Sequence, residues 1–191
     1  MPTVPDASDP VSADRRRAAM AGHAGDEGAA RVLLAHADGE VRATALGALA
    51  RIGVATRADV DHALGDPSPV VRRRACAAAV AVASSDAQLG ARLDDLDASV
   101  VEAAAWALGE LGQATAAVVT DLARTATDHH DPLCREAAVA ALGALADARG
   151  LPHLSIAIRA RAAQGGFDLG AVEGRQGDDG AATAASRQSG S

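Results

Sequence analysis

The sequence contains one pattern four times, and each copy begins with a residue that commonly starts a helix. In the first copy Asp38 precedes the apolar anchor Val41 by three positions. Ala45, Ala48 and Leu49 then follow at helical spacing. The four anchors lie 30, 29 and 34 residues apart: Val41, Val71, Val100 and Cys134. Repeats of roughly 20–50 residues are typical of solenoids, in which each unit buries its apolar face against its neighbours.

Composition favours helices as the repeating element. Alanine, the strongest helix former, is the most frequent residue, whereas aromatic residues make up only 1% of the chain. Such a core has to be built from helices that pack closely through small side chains. The sequence therefore predicts an all-α protein, a right-handed α-solenoid of about four helical hairpins with an N-terminal capping pair.

The helical pattern divides the chain into three parts. Residues 1–11 hold three prolines and no apolar period, which predicts a disordered leader. The solenoid is expected over residues 12–163, and the Gly-, Ala-, Ser- and Gln-rich residues 164–191 are typical of a flexible tail. The capping pair is expected from Ser12 to about Gly22 and from Asp26 to about Ala37. Further helices are expected near 55–64, 86–93, 114–127 and 151–163.

The start of each anchored helix carries a residue suited to its N-cap. A side-chain oxygen at this position accepts a hydrogen bond from a free backbone N–H of the first helical turn. Proline follows the cap in two copies, at Pro69 and Pro132, where its missing N–H costs nothing. Gly53 and Gly112 are expected to end their helices with a positive φ. The predicted caps are Asp38, Ser68, Asp97 and Asp131.

The intact copy, Asp38-x-x-Val41-Arg42-x-x-Ala45-x-x-Ala48-Leu49, resembles the HEAT-repeat family, specifically the short repeats named after phycobilisome lyases. The resemblance extends over about residues 26–160. It implies that the Asp and Arg of the motif tie adjacent repeats together. The third copy departs from the pattern because Val101 stands at the Arg position. The residues given this structural role are Asp38, Arg42, Ser68, Arg72, Asp97, Asp131 and Arg135.

Several kinds of chemistry are disfavoured by the residues present. A net charge of −7 opposes the phosphate contacts on which nucleic-acid affinity depends. The sequence lacks the His-Glu dipeptides with which similar repeats in deoxyhypusine hydroxylases hold iron, and it predicts no catalytic residue and no cofactor. A metal-like cluster, His129-His130-Asp131 with His153 downstream, is predicted to be a solvated loop, since neighbouring loop residues rarely converge on one ion. Cys76 and Cys134 are expected to be structural, since each falls at an apolar helix position.

One large aromatic residue interrupts an otherwise small-residue surface. Trp106 lies nearly opposite the stripe by which its helix is expected to pack, and small residues stand at the same register elsewhere: Gly47, Ala77 and Ala140. Two interpretations remain open, a core tryptophan on a rotated helix and an exposed anchor for a partner. Nearby charges change sign along the array, and the residues predicted to bind a partner are Trp106, Arg73, Glu102, Glu110 and Glu136.

These observations favour a non-enzymatic interaction module that binds a protein or peptide, without nucleic acid or a membrane. The alternative is a lyase or isomerase, which only the family resemblance suggests. Homo-oligomerisation through the C-terminal end is a further hypothesis, based on the apolar residues Leu151, Leu154, Ile156 and Ile158. The first residues show no basic segment followed by an apolar run, so a cytoplasmic location is expected.

Overall fold

The computed structural model describes residues 10–84 and 86–145, and every regular element in that part of the chain is helical. This confirms the predicted all-α class. A short 3₁₀ turn, Ala91–Asp94, follows the sixth helix. The α-helices are α1 Pro10–Ala24, α2 Glu27–Leu33, α3 Gly39–Arg51, α4 Arg57–Leu64, α5 Pro69–Ala81, α6 Asp86–Gly90, α7 Ala98–Leu111, α8 Ala116–Asp128 and α9 Pro132–Leu145.

The helices form two layers. The inner layer consists of α1, α3, α5, α7 and α9, each of which packs against the next. The outer layer consists of α2, α4, α6 and α8, and each of these packs against the inner helix that follows it. The four resulting hairpins confirm the predicted α-solenoid. Inner helices contact one another far more extensively than outer helices do.

The apolar stripe predicted on each anchored helix is the face that enters the core. On α7, Val100, Ala104, Ala107 and Leu108 are all fully buried. The anchors of the other copies are buried as well: Val41, Val71 and Cys134. Leucine and valine from the outer helices fill the space between the layers, while alanine allows the inner helices to lie close together.

The N-terminal helices are arranged differently from the prediction. Helix α1 begins at Pro10, two residues before the expected start, and α2 ends at Leu33, earlier than Ala37. The two do not form a separate cap, because α2 is the outer helix of the first hairpin and α1 packs mainly against α3. Residues 1–9, the helix expected over 151–163 and the tail expected over 164–191 lie outside the described residues.

Three of the four predicted caps are confirmed. The Asp38 carboxylate accepts hydrogen bonds from the N–H groups of Glu40 and Val41 at 2.8 and 3.2 Å. Asp97 caps Ser99 at 2.9 Å, and Asp131 caps Leu133 at 2.8 Å.

The prediction for Ser68 is wrong, since its side chain makes no capping hydrogen bond. Its hydroxyl lies against Gly39 of the preceding repeat, where an added β-carbon would stand only 2.4 Å from the Ser68 Oγ. The N–H of Val71 donates instead to the backbone carbonyl of Ser68 at 3.1 Å. Ser68 therefore serves as a contact between repeats rather than as a side-chain cap.

The ends of the anchored helices suggest a stabilising substitution. Gly53 and Gly112 have φ values of +75° and +67°, as expected, but Ala83 adopts φ +47° after α5. A left-handed conformation is costly for alanine and almost free for glycine. We expect Ala83→Gly to raise the free energy of unfolding by about 0.5–1 kcal/mol, measured by urea denaturation.

The control for this substitution is Ala81→Gly, inside the last turn of α5. Glycine there gains no relief from strain and loses more conformational entropy on folding, so we expect a loss of about 0.5–1 kcal/mol. A lower denaturation midpoint for both variants would contradict the argument from backbone strain.

Candidate functional site

A groove opens on the inner layer between α7 and α9 and reaches the first turns of α5. We call it the inner groove; its volume is about 540 Å³. Most of its lining consists of small apolar residues. The lining residues are Arg73, Ser99, Glu102, Ala103, Trp106, Gly109, Glu110, Ala137, Ala140, Ala141 and Ala144.

Trp106 projects into this groove from the middle of α7. Its side chain is 48% exposed, whereas the opposite stripe of α7 is fully buried. This exposure excludes the alternative of a core tryptophan on a rotated helix. The described residues expose four other large apolar side chains, none of which lines the inner groove: Met20, Val32, Leu96 and Leu133.

The floor of the groove is formed where α7 and α9 approach most closely. A β-carbon added to Gly109 would lie 3.1 Å from the Cα of Ala141 and 3.4 Å from its β-carbon. Glycine at this position thus lets the two backbones come together. Ala140 and Ala144 also line the groove, and each contributes only a methyl group. The groove therefore leaves room for the backbone of a partner beside the Trp106 ring.

Charged side chains border the groove on two sides. Glu102 and Glu110 lie on α7, and Arg73 lies on α5. All three are exposed, and none forms an ion pair with another residue within 10–84 and 86–145. The structure thus brings together four of the five residues predicted to bind a partner. Glu136, the fifth, is exposed on α9 but does not line the groove.

The arginines of the repeat motif form a regular series that links adjacent repeats, which we call the arginine ladder. Arg42 makes two hydrogen bonds to the carboxylate of Asp66, at 2.9 and 2.7 Å. Arg72 donates two hydrogen bonds to the carboxylate of Asp95 in the same way, both at 2.7 Å. Each guanidinium also donates to two carbonyls just before its own helix, for Arg72 those of Asp66 and Pro67.

The carboxylate partners in the ladder were not identified from the sequence. The capping Asp38 and Asp97 serve their own helices, and the ladder arginines bind carboxylates two positions before the next cap. Asp95 also accepts the N–H of Asp97 at 3.0 Å. The available signal was the co-occurrence of Arg in one repeat with Asp in the next, at Arg42–Asp66 and Arg72–Asp95.

The ladder carboxylates are ionised more readily than ordinary ones. Burial alone would raise the pKa of Asp95, but the hydrogen bonds from Arg72 and from the Asp97 N–H outweigh it and leave the pKa below its usual value. Asp66 shows the same balance, with Arg42 and the Ser68 N–H lowering its pKa against the effect of burial.

The last rung of the ladder differs from the others. Arg135 donates to the carbonyls of His129 and His130 at 2.7 and 3.0 Å, as the pattern requires. Its Nε is buried and has no hydrogen-bond partner among the described residues. The third copy, with Val101 in place of Arg, contributes no rung; this side chain is fully buried.

The histidine loop before α9 does not gather metal ligands. The rings of His129 and His130 stack with centroids 4.5 Å apart. The Nδ1 of His129 accepts the N–H of Asp131 at 3.1 Å, while Asp131 caps α9. No group of three or more His, Cys, Asp and Glu side chains able to hold a metal exists in the part of the chain that the structure describes. His153 lies outside that part.

Both thiols lie in the core and are poor nucleophiles. Burial raises the pKa of Cys76 to about 12 and that of Cys134 to about 11. Because the thiolate is the reactive form, neither cysteine offers one at neutral pH.

None of the helices within residues 10–84 and 86–145 is both long enough and apolar enough to cross a bilayer.

Comparisons with known proteins agree with this architecture. Residues 87–164 match the family model for HEAT repeats. The fold is similar to the crystal structure of an engineered protein from the Northeast Structural Genomics Consortium, at 17% sequence identity and a TM-score of 0.50. That match covers 85% of this chain and 94% of the engineered one. A comparison with curated proteins found no match. The match identifies HEAT repeats over residues 87–164, and the paired helices of the two layers agree with it.

Proposed function

We propose that this chain is a non-enzymatic interaction module that holds a helix or an extended peptide of a partner protein in the inner groove. HEAT repeats generally serve as protein-interaction scaffolds, and the groove supplies a specific place for a partner. The observation that carries the proposal is the half-exposed ring of Trp106 beside a floor of glycine and alanine. Tryptophan is enriched at the energetic centres of protein interfaces.

The shape of the groove suits a peptide better than a small substrate. It is open along α7 and α9, and its walls are mostly methyl groups, so that a partner backbone can approach closely. A lyase or isomerase would need several polar groups that converge on one reacting centre. Of the lining side chains, only Arg73, Ser99, Glu102 and Glu110 are polar, and they lie along the rim.

The full chain contains a built-in reporter for this test. Trp106 is its one tryptophan, and it has no tyrosine, so the intrinsic fluorescence comes from the groove. Peptides selected from a random display library against the full chain are expected to shift the Trp106 emission when they bind.

The matched variants are Trp106→Ala, Ala140→Leu and Leu96→Ala. The first removes the anchor, and the second fills the groove while keeping the tryptophan. We expect each to weaken the selected peptides about tenfold or more, whereas Leu96→Ala, at an exposed apolar residue outside the groove, should leave affinity unchanged. Calorimetric titration measures the affinity of all four proteins, because the Trp106→Ala variant has no tryptophan emission to follow, and circular dichroism monitors the fold. Peptides that bind all four proteins equally and leave the emission unchanged would refute the proposed site.

A further inference from the structure

We propose that the partner segment is basic, and that one of its arginines lies on the Trp106 ring between Glu102 and Glu110. This inference rests on the proposed function and specifies the chemistry of the same groove. The occupant is thus an arginine-bearing helix or peptide, and the contact is a guanidinium held between one indole face and two carboxylates.

The positions of the three residues on α7 define the cradle. Glu102 precedes Trp106 by four residues and Glu110 follows it by four, so all three share one face of the helix. Four residues correspond to a rise of about 6 Å, which places a carboxylate on either side of the ring. A planar group stacked on the indole would therefore have an acidic neighbour at each end.

The electrostatics of the groove favour a cation beside the ring. Glu102 and Glu110 both line the groove, and neither has an ion-pair partner within the described residues. The whole chain carries a net charge of −7, which adds a long-range attraction for basic segments. An anionic occupant such as nucleic acid would meet two carboxylates at the point where the anchor stands.

Arginine fits this cradle better than lysine. Its guanidinium is planar, stacks on aromatic faces and presents five N–H donors, whereas the lysine ammonium is a compact and strongly hydrated charge. Arg73 borders the opposite side of the groove, on α5, and would repel a second cation placed there. The partner is therefore expected to be basic over α7 and neutral or acidic towards α5.

A second copy of this chain is a poorer occupant. Two copies that face each other through their inner layers would bring together two molecules of charge −7. A separate basic segment meets no such repulsion.

The test uses three synthetic helical peptides of alanine and leucine that differ at one central residue. This residue is arginine, lysine or citrulline, the last being a neutral analogue of arginine with the same shape. Each peptide is titrated into the full chain, and the emission of Trp106 is followed at low and high salt. We expect the citrulline peptide to bind about tenfold more weakly than the arginine peptide, with the lysine peptide between them, and the difference to shrink at high salt.

Variants of the chain locate the effect. Glu102→Gln and Glu110→Gln are each expected to weaken the arginine peptide about fivefold and to leave the citrulline peptide nearly unchanged. Glu40→Gln makes the same change of net charge on α3, outside the groove, and is expected to preserve the preference for arginine. Equal losses in all three variants would overturn the cradle in favour of a diffuse acidic field.

The outcomes distinguish a failure of the arginine cradle from a failure of peptide binding in the inner groove. Equal affinity for the arginine and citrulline peptides, with a shifted Trp106 emission, would overturn the arginine cradle and retain a peptide-binding groove. An unchanged emission with every peptide, including those selected from the library, would overturn both. A mass measurement in solution could show that the chain is a dimer, and the peptides could then leave the Trp106 emission unchanged. Together these two results would overturn the basic partner in favour of a second copy of the chain.

Discussion

Replacing Arg72 by methionine is expected to lower the free energy of unfolding by about 3 kcal/mol, a large part of the stability of a domain of this size. The guanidinium makes two 2.7 Å bonds to Asp95, whose side chain is only 4% exposed. Methionine retains most of the volume but removes both of these hydrogen bonds, and it leaves that carboxylate only the more distant guanidinium of Arg92, 3.8 Å away. The carbonyls of Asp66 and Pro67 also lose a donor. Urea denaturation of the full chain measures the loss.

Two controls distinguish the ladder from ion pairs in general. Arg124→Met removes an exposed pair with Asp94, in which the side chains are 46% and 65% exposed, and we expect less than about 1 kcal/mol. The double variant Arg72→Met/Asp95→Asn also removes the buried carboxylate charge that has lost its main partner, while the amide oxygen can still accept the Asp97 N–H. It should therefore recover part of the loss. Similar losses for Arg72→Met and Arg124→Met would show that the ladder contributes no more than a surface pair.

Acid titration gives an independent measure of the same rung. The pKa of Asp95 is lowered in the folded chain, so its ionisation stabilises the fold above the ordinary carboxyl pKa of 3.8, and this contribution is lost as the pH falls below that value. We expect the stability difference between the wild type and Arg72→Met to be complete at neutral pH and to shrink below about pH 4. A difference that stays constant down to pH 2 would mean that the Asp95 charge is not its source.

Features that depend on local spacing could be predicted from the sequence. The cap at Asp38 and the left-handed turn at Gly112 follow from counting residues along one helix. The same counting placed Trp106 opposite the packing stripe but left open whether it was core or exposed, and the structure shows that it is exposed. Arg73 was included in the predicted binding surface because it stands, one repeat earlier, at the position equivalent to Glu102. The same geometry predicted the small floor at Ala140.

Features that depend on contacts between helices could not be predicted in this way. Glu136 is equivalent to Glu102 in the repeat, but it lies about 100° around α9 from Ala137, away from the side that faces α7. The partners of the ladder arginines lie 24 and 23 residues downstream, in loops whose approach is set by packing. The hydroxyl of Ser68 similarly lies against Gly39, and the two residues come together only when adjacent repeats pack.

The break in the ladder at the third repeat has a counterpart in the fourth. Where an arginine is present, the position two residues before the next cap is an aspartate: Asp66 after Arg42 and Asp95 after Arg72. After Val101, the corresponding position is His129, whose Nδ1 accepts the N–H of the cap in the same way as the two carboxylates do. Val101 and His129 thus stand together at the two positions that an arginine and an aspartate occupy in the earlier repeats.

This relation predicts strong coupling between the two positions. Val101→Arg alone is expected to lower the free energy of unfolding by about 3 kcal/mol or more, because a guanidinium would enter a fully buried site that has no carboxylate. His129→Asp alone should cost about 1 kcal/mol or less, because aspartate can also accept the N–H of Asp131. In the double variant the new charges can pair as Arg72 and Asp95 do, so we expect a coupling free energy of about 2 kcal/mol in their favour.

The measurement is a double-mutant cycle by urea denaturation of the wild type, both single variants and the double variant. A matched cycle with His130→Asp in place of His129→Asp adds the same charge one position further along, on a ring that does not accept the N–H of the cap. Coupling is expected at position 129 and should be much weaker at position 130. If the losses of unfolding free energy are additive in both cycles, Val101 does not face the loop before α9. The contact between the third and fourth repeats would then differ from the two contacts that contain Arg42 and Arg72.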